Sequence, residues 1–238
     1  RVVRSQRKWL VQRWIRSKER GRMIAYCAST ATQKTLSALR ASGWRLLLTP
    51  DILKKTKGKC PQLWPTGEPA PYALDNGAFG AYQRGVPFDS ASFRWAVERV
   101  GSGADWIAIP DSVGNAAETY KLAGEWFEFV TKYTFHPLFV VQDEMQLKDV
   151  RRWVLRGCGL FVGGSTEFKL NTMEKWSRLA HDHGKRCHVG RVNSQKRIML
   201  CAHAGVDSFD GSGVAQFPTK LARLQRALIF TNQQRSLF

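Results

Sequence analysis

The chain predicts a compact (β/α)8 barrel. Three observations carry that reading. Eight short apolar runs alternate with amphipathic, helix-period segments over about 210 residues, near the short end for this fold. The runs are apolar throughout, as strands buried on both faces must be, and a parallel sheet covered by helices meets that demand. Many of the runs end in Asp, Gln or paired Gly, which would gather on the one rim where barrel active sites form.

In order, strands are expected at Arg22–Cys27, Trp44–Leu48, Tyr72–Leu74, Asp105–Ile109, Pro137–Val141, Gly159–Val162, Arg186–Val189 and Val206–Phe209. Helices are expected at Thr32–Ala41, Phe88–Val100, Ala116–Lys132, Leu147–Arg156, Met173–His183 and Ser194–Ala204, with a closing helix at Thr219–Ile229. The stretch from Pro50 to Pro71 is rich in Lys, Gly and Pro and shows no helix pattern. A doubly wound open sheet is the alternative, but it has fewer strands and a Gly-rich first turn. The first turn here, CASTATQ, has no glycine. Residues 22–238 therefore read as one catalytic barrel, preceded by a basic arm at 1–21.

The chain is strongly basic, with 37 Lys and Arg against 19 Asp and Glu, a formal charge of +18. Such a surface attracts polyanions, chiefly nucleic acid, and nine Trp and thirteen Phe offer stacking faces besides core. The arm carries Arg4, Arg7, Lys8 and Arg13, with Leu10, Trp14 and their neighbours on an apolar stripe. It reads as a helix that packs on the barrel and shows phosphates its basic face, with a transit peptide as the alternative. A second cluster, Lys54, Lys55, Lys57 and Lys59, is placed in a loop. No run of 18 apolar residues occurs, so no membrane span is expected. Cys27, Cys60, Cys158, Cys187 and Cys201 are scattered, without a CxxC pair. That spacing argues against a disulfide framework or zinc knuckle and for reduced thiols in a cytoplasmic protein, with no metal or cofactor.

The strand ends carry the chemistry. They read LDNGAF with Asp75, IPDS with Asp111, VVQDE with Gln142 and Asp143, FVGGS with Gly163 and Gly164, HVGRVN with Arg191, and FDGS with Asp210. Clustered carboxylates fit hard-metal binding or glycosyl transfer, in which one carboxylate attacks the sugar and another moves protons. Asp and Gln also offer the donors and acceptors for a guanine edge, paired glycines admit a flat base, and Phe79 can stack on it. Each residue has a plainer reading. Asp75 suits a turn, Asp111 a helix cap, and Gly163–Gly164 a strand exit or phosphate cradle. Asp207, at the start of its strand, reads as structural.

LDNGAF, PDS, VVQD, FVGGS and HVGRVNS…AGVDSFDGS resemble, in this order, the motifs of tRNA-guanine transglycosylases. The resemblance spans about Tyr72 to Gly213, specific in order and loose in identity. It implies a (β/α)8 enzyme that exchanges guanine in a polynucleotide for a 7-deazapurine. Asp210 would be the nucleophile and Asp75 the general acid/base. Phe79 would stack on the base, Asp111 and Gln142 would read its Watson–Crick edge, and backbone at Gly163–Gly164 its carbonyl. Val189 or His188 would close the other face. The family's Cys-rich zinc site has no counterpart after Asp210, and Ala78 stands where its first motif has a second glycine. A short, basic, zinc-free chain is most similar to the DNA-guanine transglycosylases of bacterial and phage 7-deazaguanine DNA modification. The expected partners are DNA, with a flipped guanosine, and a preQ0-like base. RNA exchange, a DNA glycosylase or nucleoside hydrolase, a magnesium-dependent phosphohydrolase and a non-catalytic nucleic-acid-binding barrel are the alternatives.

Overall fold

The computed structural model describes residues 21–28, 30, 32–55 and 63–235. The arm with Arg4, Arg7, Lys8 and Arg13, and also Lys57, Lys59 and Cys60, lie outside the described residues.

Eight parallel strands close a barrel in chain order. They are β1 (Ile24–Ala28), β2 (Arg45–Leu48), β3 (Tyr72–Leu74), β4 (Ile107–Ala108), β5 (Pro137–Val141), β6 (Gly159–Val162), β7 (Cys187–Val189) and β8 (Ser208–Gly211). The register runs Tyr26↔Asp210 between β1 and β8, and Phe161↔His188 between β6 and β7. The outer layer comprises α1 (Gln33–Ala41), α2 (Pro50–Lys55), α3 (Ala78–Gln83), α4 (Ser90–Val100), α5 (Ala116–Thr131), α6 (Leu147–Leu155), α7 (Thr166–His181), α8 (Gln195–His203), α9 (Gly213–Gln216) and α10 (Leu221–Arg235). The fold is a (β/α)8 barrel, as the pattern predicts.

The strands sort their side chains by alternation. Ala25, Cys27, Leu46, Leu48, Leu160, Val162, Cys187, Val189 and Phe209 pack in one cluster with the helices. Tyr26, Leu47, Trp106, Leu138, Val140 and Phe161 form a second cluster inside the barrel. Burying each large apolar side chain contributes roughly 1.5–3 kcal/mol, so both layers hold the rim rigid. Because Phe209 faces outward, Ser208 and Asp210 face inward.

Local signals set the helix starts. Asp89, Asn115, Ser165 and Ser194 accept hydrogen bonds from the backbone of Ser92, Glu118, Phe168 and Arg197, capping α4, α5, α7 and α8. Asn115, rather than Asp111, therefore caps the helix after β4. Several expectations need correction. α2 and α3 arise where no helix pattern was read, so Lys54 and Lys55 sit in the last turn of a helix rather than in a loop. α7 starts seven residues earlier than expected, at Thr166, because its first two turns are largely polar. The closing helix begins after a 3-10 turn at Pro218–Lys220 and runs on to Arg235.

At the opposite end of the barrel Asp207 is structural, as expected. Its Oδ2 accepts from Cys187 N at 2.7 Å and lies 2.8 Å from His181 Nε2. Cys27, Cys158, Cys187 and Cys201 are free and buried. Burial pushes the thiols of Cys27, Cys158 and Cys201 up to about 12. Among the described residues no helix is long and apolar enough to cross a membrane.

Candidate active site

The C-terminal ends of the strands surround a cavity of about 500 Å³. This is within the range of roughly 300–1,000 Å³ for small-ligand sites. Asp75, Phe79, Asp111, Gln142, Gly163, Gly164, Arg191 and Asp210 all line it. The fold thus brings seven of the eight residues expected to act on sugar and base to one opening, together with Arg191. Val189 is the exception. Its side chain lies in the helix-facing cluster, because its neighbour His188 takes the inward position. His188 does not close the base's other face either. It lies inside the barrel, against Asp210.

Asp75 follows β3 directly. Its Oδ1 accepts from Gly77 N at 2.7 Å, so the turn reading and the cavity reading both hold. Burial, opposed by that hydrogen bond and reinforced by Asp210 and Asp111, raises its carboxyl to about 7. Such a group exchanges a proton readily near neutral pH.

Asp111 is held on both oxygens. Asn76 Nδ2 donates to Oδ1 at 2.8 Å and Gln142 Nε2 to Oδ2 at 2.6 Å. Burial moves it up to about 6, against the lowering effect of those two donors. Gln142 is fixed in turn, since its Oε1 accepts from Gly114 N at 3.2 Å. Each carboxylate oxygen of Asp111, which lines the cavity, keeps acceptor capacity beyond these bonds. Asn76 had no role in the sequence reading. Its Nδ2 also donates to Ile109 O at 2.9 Å and its Oδ1 accepts from Ala78 N at 2.7 Å. It thereby ties the β3 and β4 ends and the start of α3 into one rigid edge.

The two glycines divide the backbone work. Gly163 N is spent on Val141 O at 2.9 Å. Gly164 N has no partner among the described residues, which leaves it as the amide of the pair available to a ligand carbonyl. Gly164 has φ +70°, and a Cβ there would run into Asp143 Oδ2. Asp143, expected on the rim, turns away from the cavity. Its carboxylate accepts from Ser165 N at 2.8 Å and Ser165 Oγ at 2.6 Å, bracing the turn into α7.

Arg191 has φ +61°, a strained conformation for a residue with a side chain. Its guanidinium donates to Gly164 O and covers the Phe79 ring at 4.2 Å from the centroid. A base stacking on that face of Phe79 must take the guanidinium's place. Behind this loop, buried Lys169 donates to Gly190 O at 2.9 Å. Burial, with Arg191 adding to it, lowers that amine to about 8. Lys54, expected to meet phosphates, pairs with Asp89 at 3.2 Å. Among the described residues no three His, Cys, Asp or Glu side chains are grouped as a metal ion would need.

Asp210 stands at the inward-facing top of β8. Its Oδ1 lies 3.0 Å from His188 Nε2, and its Oδ2 accepts from Arg191 N at 3.4 Å. The chain matches no protein-family model and no curated protein. Its fold is similar to that of a chain in the tryptophan synthase α2β2 complex of the hyperthermophile Pyrococcus furiosus. The TM-score is 0.51 and the identity 13%, over 90% of this chain and 96% of that one. At that identity the likeness speaks for the barrel alone.

Proposed function

We propose that this barrel is a DNA-guanine transglycosylase that replaces guanine with a 7-deazaguanine base through a covalent sugar–Asp210 intermediate. The observation that supports it most is the convergence of Asp210, Asp75 and the Asn76–Asp111–Gln142 array on one cavity beside Phe79. A nucleophile, a proton carrier near neutrality and a fixed hydrogen-bonding edge are the three groups base exchange requires.

The target guanosine leaves the DNA stack and enters the cavity, at a cost of a few kcal/mol. Asp111 accepts from the guanine N1–H and amine, and Gly164 N–H donates to its carbonyl. Asp210 Oδ2 attacks C1′ while the C1′–N9 bond breaks, and Asp75 supplies the proton the departing base takes up. The incoming 7-deazaguanine gives its N9 proton back to Asp75, N9 attacks C1′, and the C1′–Oδ2 bond breaks. Two inversions retain configuration, and one glycosidic bond replaces another, so the exchange consumes no nucleotide triphosphate. The +18 charge favours a polyanionic substrate, and DNA is preferred to tRNA from the motif resemblance.

Incubation with DNA or with tRNA and a panel of deazapurines, digestion to nucleosides and mass spectrometry tests this reading. A deazaguanine deoxynucleoside in the DNA arm is expected. Incorporation only into tRNA would move the substrate to RNA, and guanine release without incorporation would make the enzyme a glycosylase.

A further inference from the structure

The barrel holds a histidine directly beside Asp210 that the exchange chemistry leaves without a task. His188 is 1% exposed, at the centre of β7 with its side chain turned into the barrel. Its Nε2 lies 3.0 Å from Asp210 Oδ1 and its Nδ1 2.9 Å from Ser208 Oγ. Rings wall it in: Trp106 and Phe161 each at 4.6 Å and Tyr26 at 5.9 Å, centroid to centroid. A polar ring buried among aromatics in a barrel interior is expensive unless both nitrogens are satisfied, and here both are.

The two hydrogen bonds fix the tautomer. Burial moves the His188 ring below its usual range, against the pull of Asp210, so the ring is neutral and carries one N–H. A carboxylate only accepts, whereas a serine hydroxyl can donate or accept. The proton therefore sits on Nε2 facing Asp210, and Ser208 Oγ–H donates to Nδ1. β8 supplies both Ser208 and Asp210 from its inward face, two residues apart, and β7 brings the ring between them.

We propose that His188 is a positioning residue for Asp210, its Nε2–H holding Oδ1 so that Oδ2 alone meets the sugar carbon. This inference rests on the reading of Asp210 as nucleophile. His188 neither gives nor takes a proton in the cycle. It holds the carboxylate rotamer while the C1′–Oδ2 bond forms, and again when that bond breaks and the carboxylate is restored. The other charged or titratable groups that feel Asp210 electrostatically or touch it are Asp75 from the β3 end, Cys27 on the helix-facing side of β1, Lys169 from α7 and Arg191, by its backbone N–H, from the loop after β7. Among the described residues, none of these hydrogen-bonds Oδ1 with a side chain.

The test is steady-state exchange kinetics on the full chain with His188→Leu, His188→Gln and Ser208→Ala. Loss of positioning predicts a fall in kcat on the order of 100-fold for His188→Leu with KM for DNA and for the deazaguanine within about twofold. Gln, whose amide can donate from a similar place, should recover most of that loss. Ser208→Ala removes one methylene-borne hydroxyl and carries the test if the Leu variant does not fold. It should lower kcat roughly three- to tenfold by freeing the tautomer. Proton–nitrogen NMR of the wild-type ring should show hydrogen on Nε2. Wild-type kcat in folded His188→Leu, a Gln variant as slow as Leu, or hydrogen on Nδ1 overturns the proposal. Asp210→Asn separates the two readings. If it exchanges bases at the wild-type rate, the nucleophile assignment fails and this one with it. If it is inactive while His188→Leu is fully active, only the positioning role falls.

Discussion

Asp210 and Asp75 are two carboxylates in one cavity to which the proposal gives different tasks, and substitution should separate them. Asp210→Ala is expected to abolish exchange, by at least 10³-fold, with DNA affinity within about twofold of wild type. Guanine release and filter binding measure the two. Asp75→Asn should slow exchange on the order of 10²–10⁴-fold, the usual contribution of a general acid/base. It should also stabilise the protein at alkaline pH. Burial raises the folded carboxyl to about 7, against 3.8 for a free aspartate side chain. A raised folded value means stability is fully present below about pH 4 and is lost as pH rises through 7. The Asn variant escapes that loss, so thermal melts should show it more stable at pH 8, on the order of 2 kcal/mol after allowing for solvent in the cavity, and equal near pH 3. Asp111→Ala takes the acceptor from Gln142 Nε2 and one of the two acceptors from Asn76 Nδ2, and should relax discrimination between guanine and adenine-type bases. Competition between the two bases measures it. The convergence of these residues on one cavity was legible, because the strand ends carry most of them in order. Two assignments failed for one reason. Val189 and His188 alternate across the sheet, so one faces the helices and the other the barrel interior, and neither faces the base.

At the scale of elements, the turn from β6 into α7 is the most constrained part of the rim. Asp143 braces Ser165, Ser165 caps α7, and Gly164 fits between them only without a side chain. Gly164→Ala combines a positive φ with a clash against Asp143 and should cost about 1–3 kcal/mol, read as a lowered melting midpoint. Its exchange rate should fall as well, since Gly164 lines the cavity. The strands were legible from sequence because doubly buried parallel strands are unbroken apolar runs. α2 and α3 were not, since six residues hold less than two turns and give no readable 3.6-residue period. Asp143 was read as a rim group from its position, but the hydrogen bonds that turn it toward Ser165 are set by the neighbouring strand.

Over the whole molecule, the proposed function assigns charge and cavity to different steps. On that proposal the excess of 18 positive charges supplies sequence-independent attraction to phosphates, while the cavity selects the base. DNA affinity should therefore fall steeply with salt, roughly 40- to 150-fold between 50 and 200 mM for three or four phosphate contacts, while the ratio of guanine to adenine exchange stays constant. Titrations at several salt concentrations check the first and competition at each of them the second. The barrel itself follows from alternating patterns that span the chain, whereas the choice of DNA depends on motif resemblance and charge. The central claim is that Asp210 carries the sugar between the departing and the arriving base. The measurement that addresses it most directly is a rapid acid quench of enzyme with guanine-containing DNA and no incoming base, followed by peptide mapping. The account predicts a deoxyribosyl ester on the peptide containing Asp210, discharged on addition of a 7-deazaguanine. A wild-type enzyme that exchanges bases without any such adduct, or with the sugar on another residue, would contradict it.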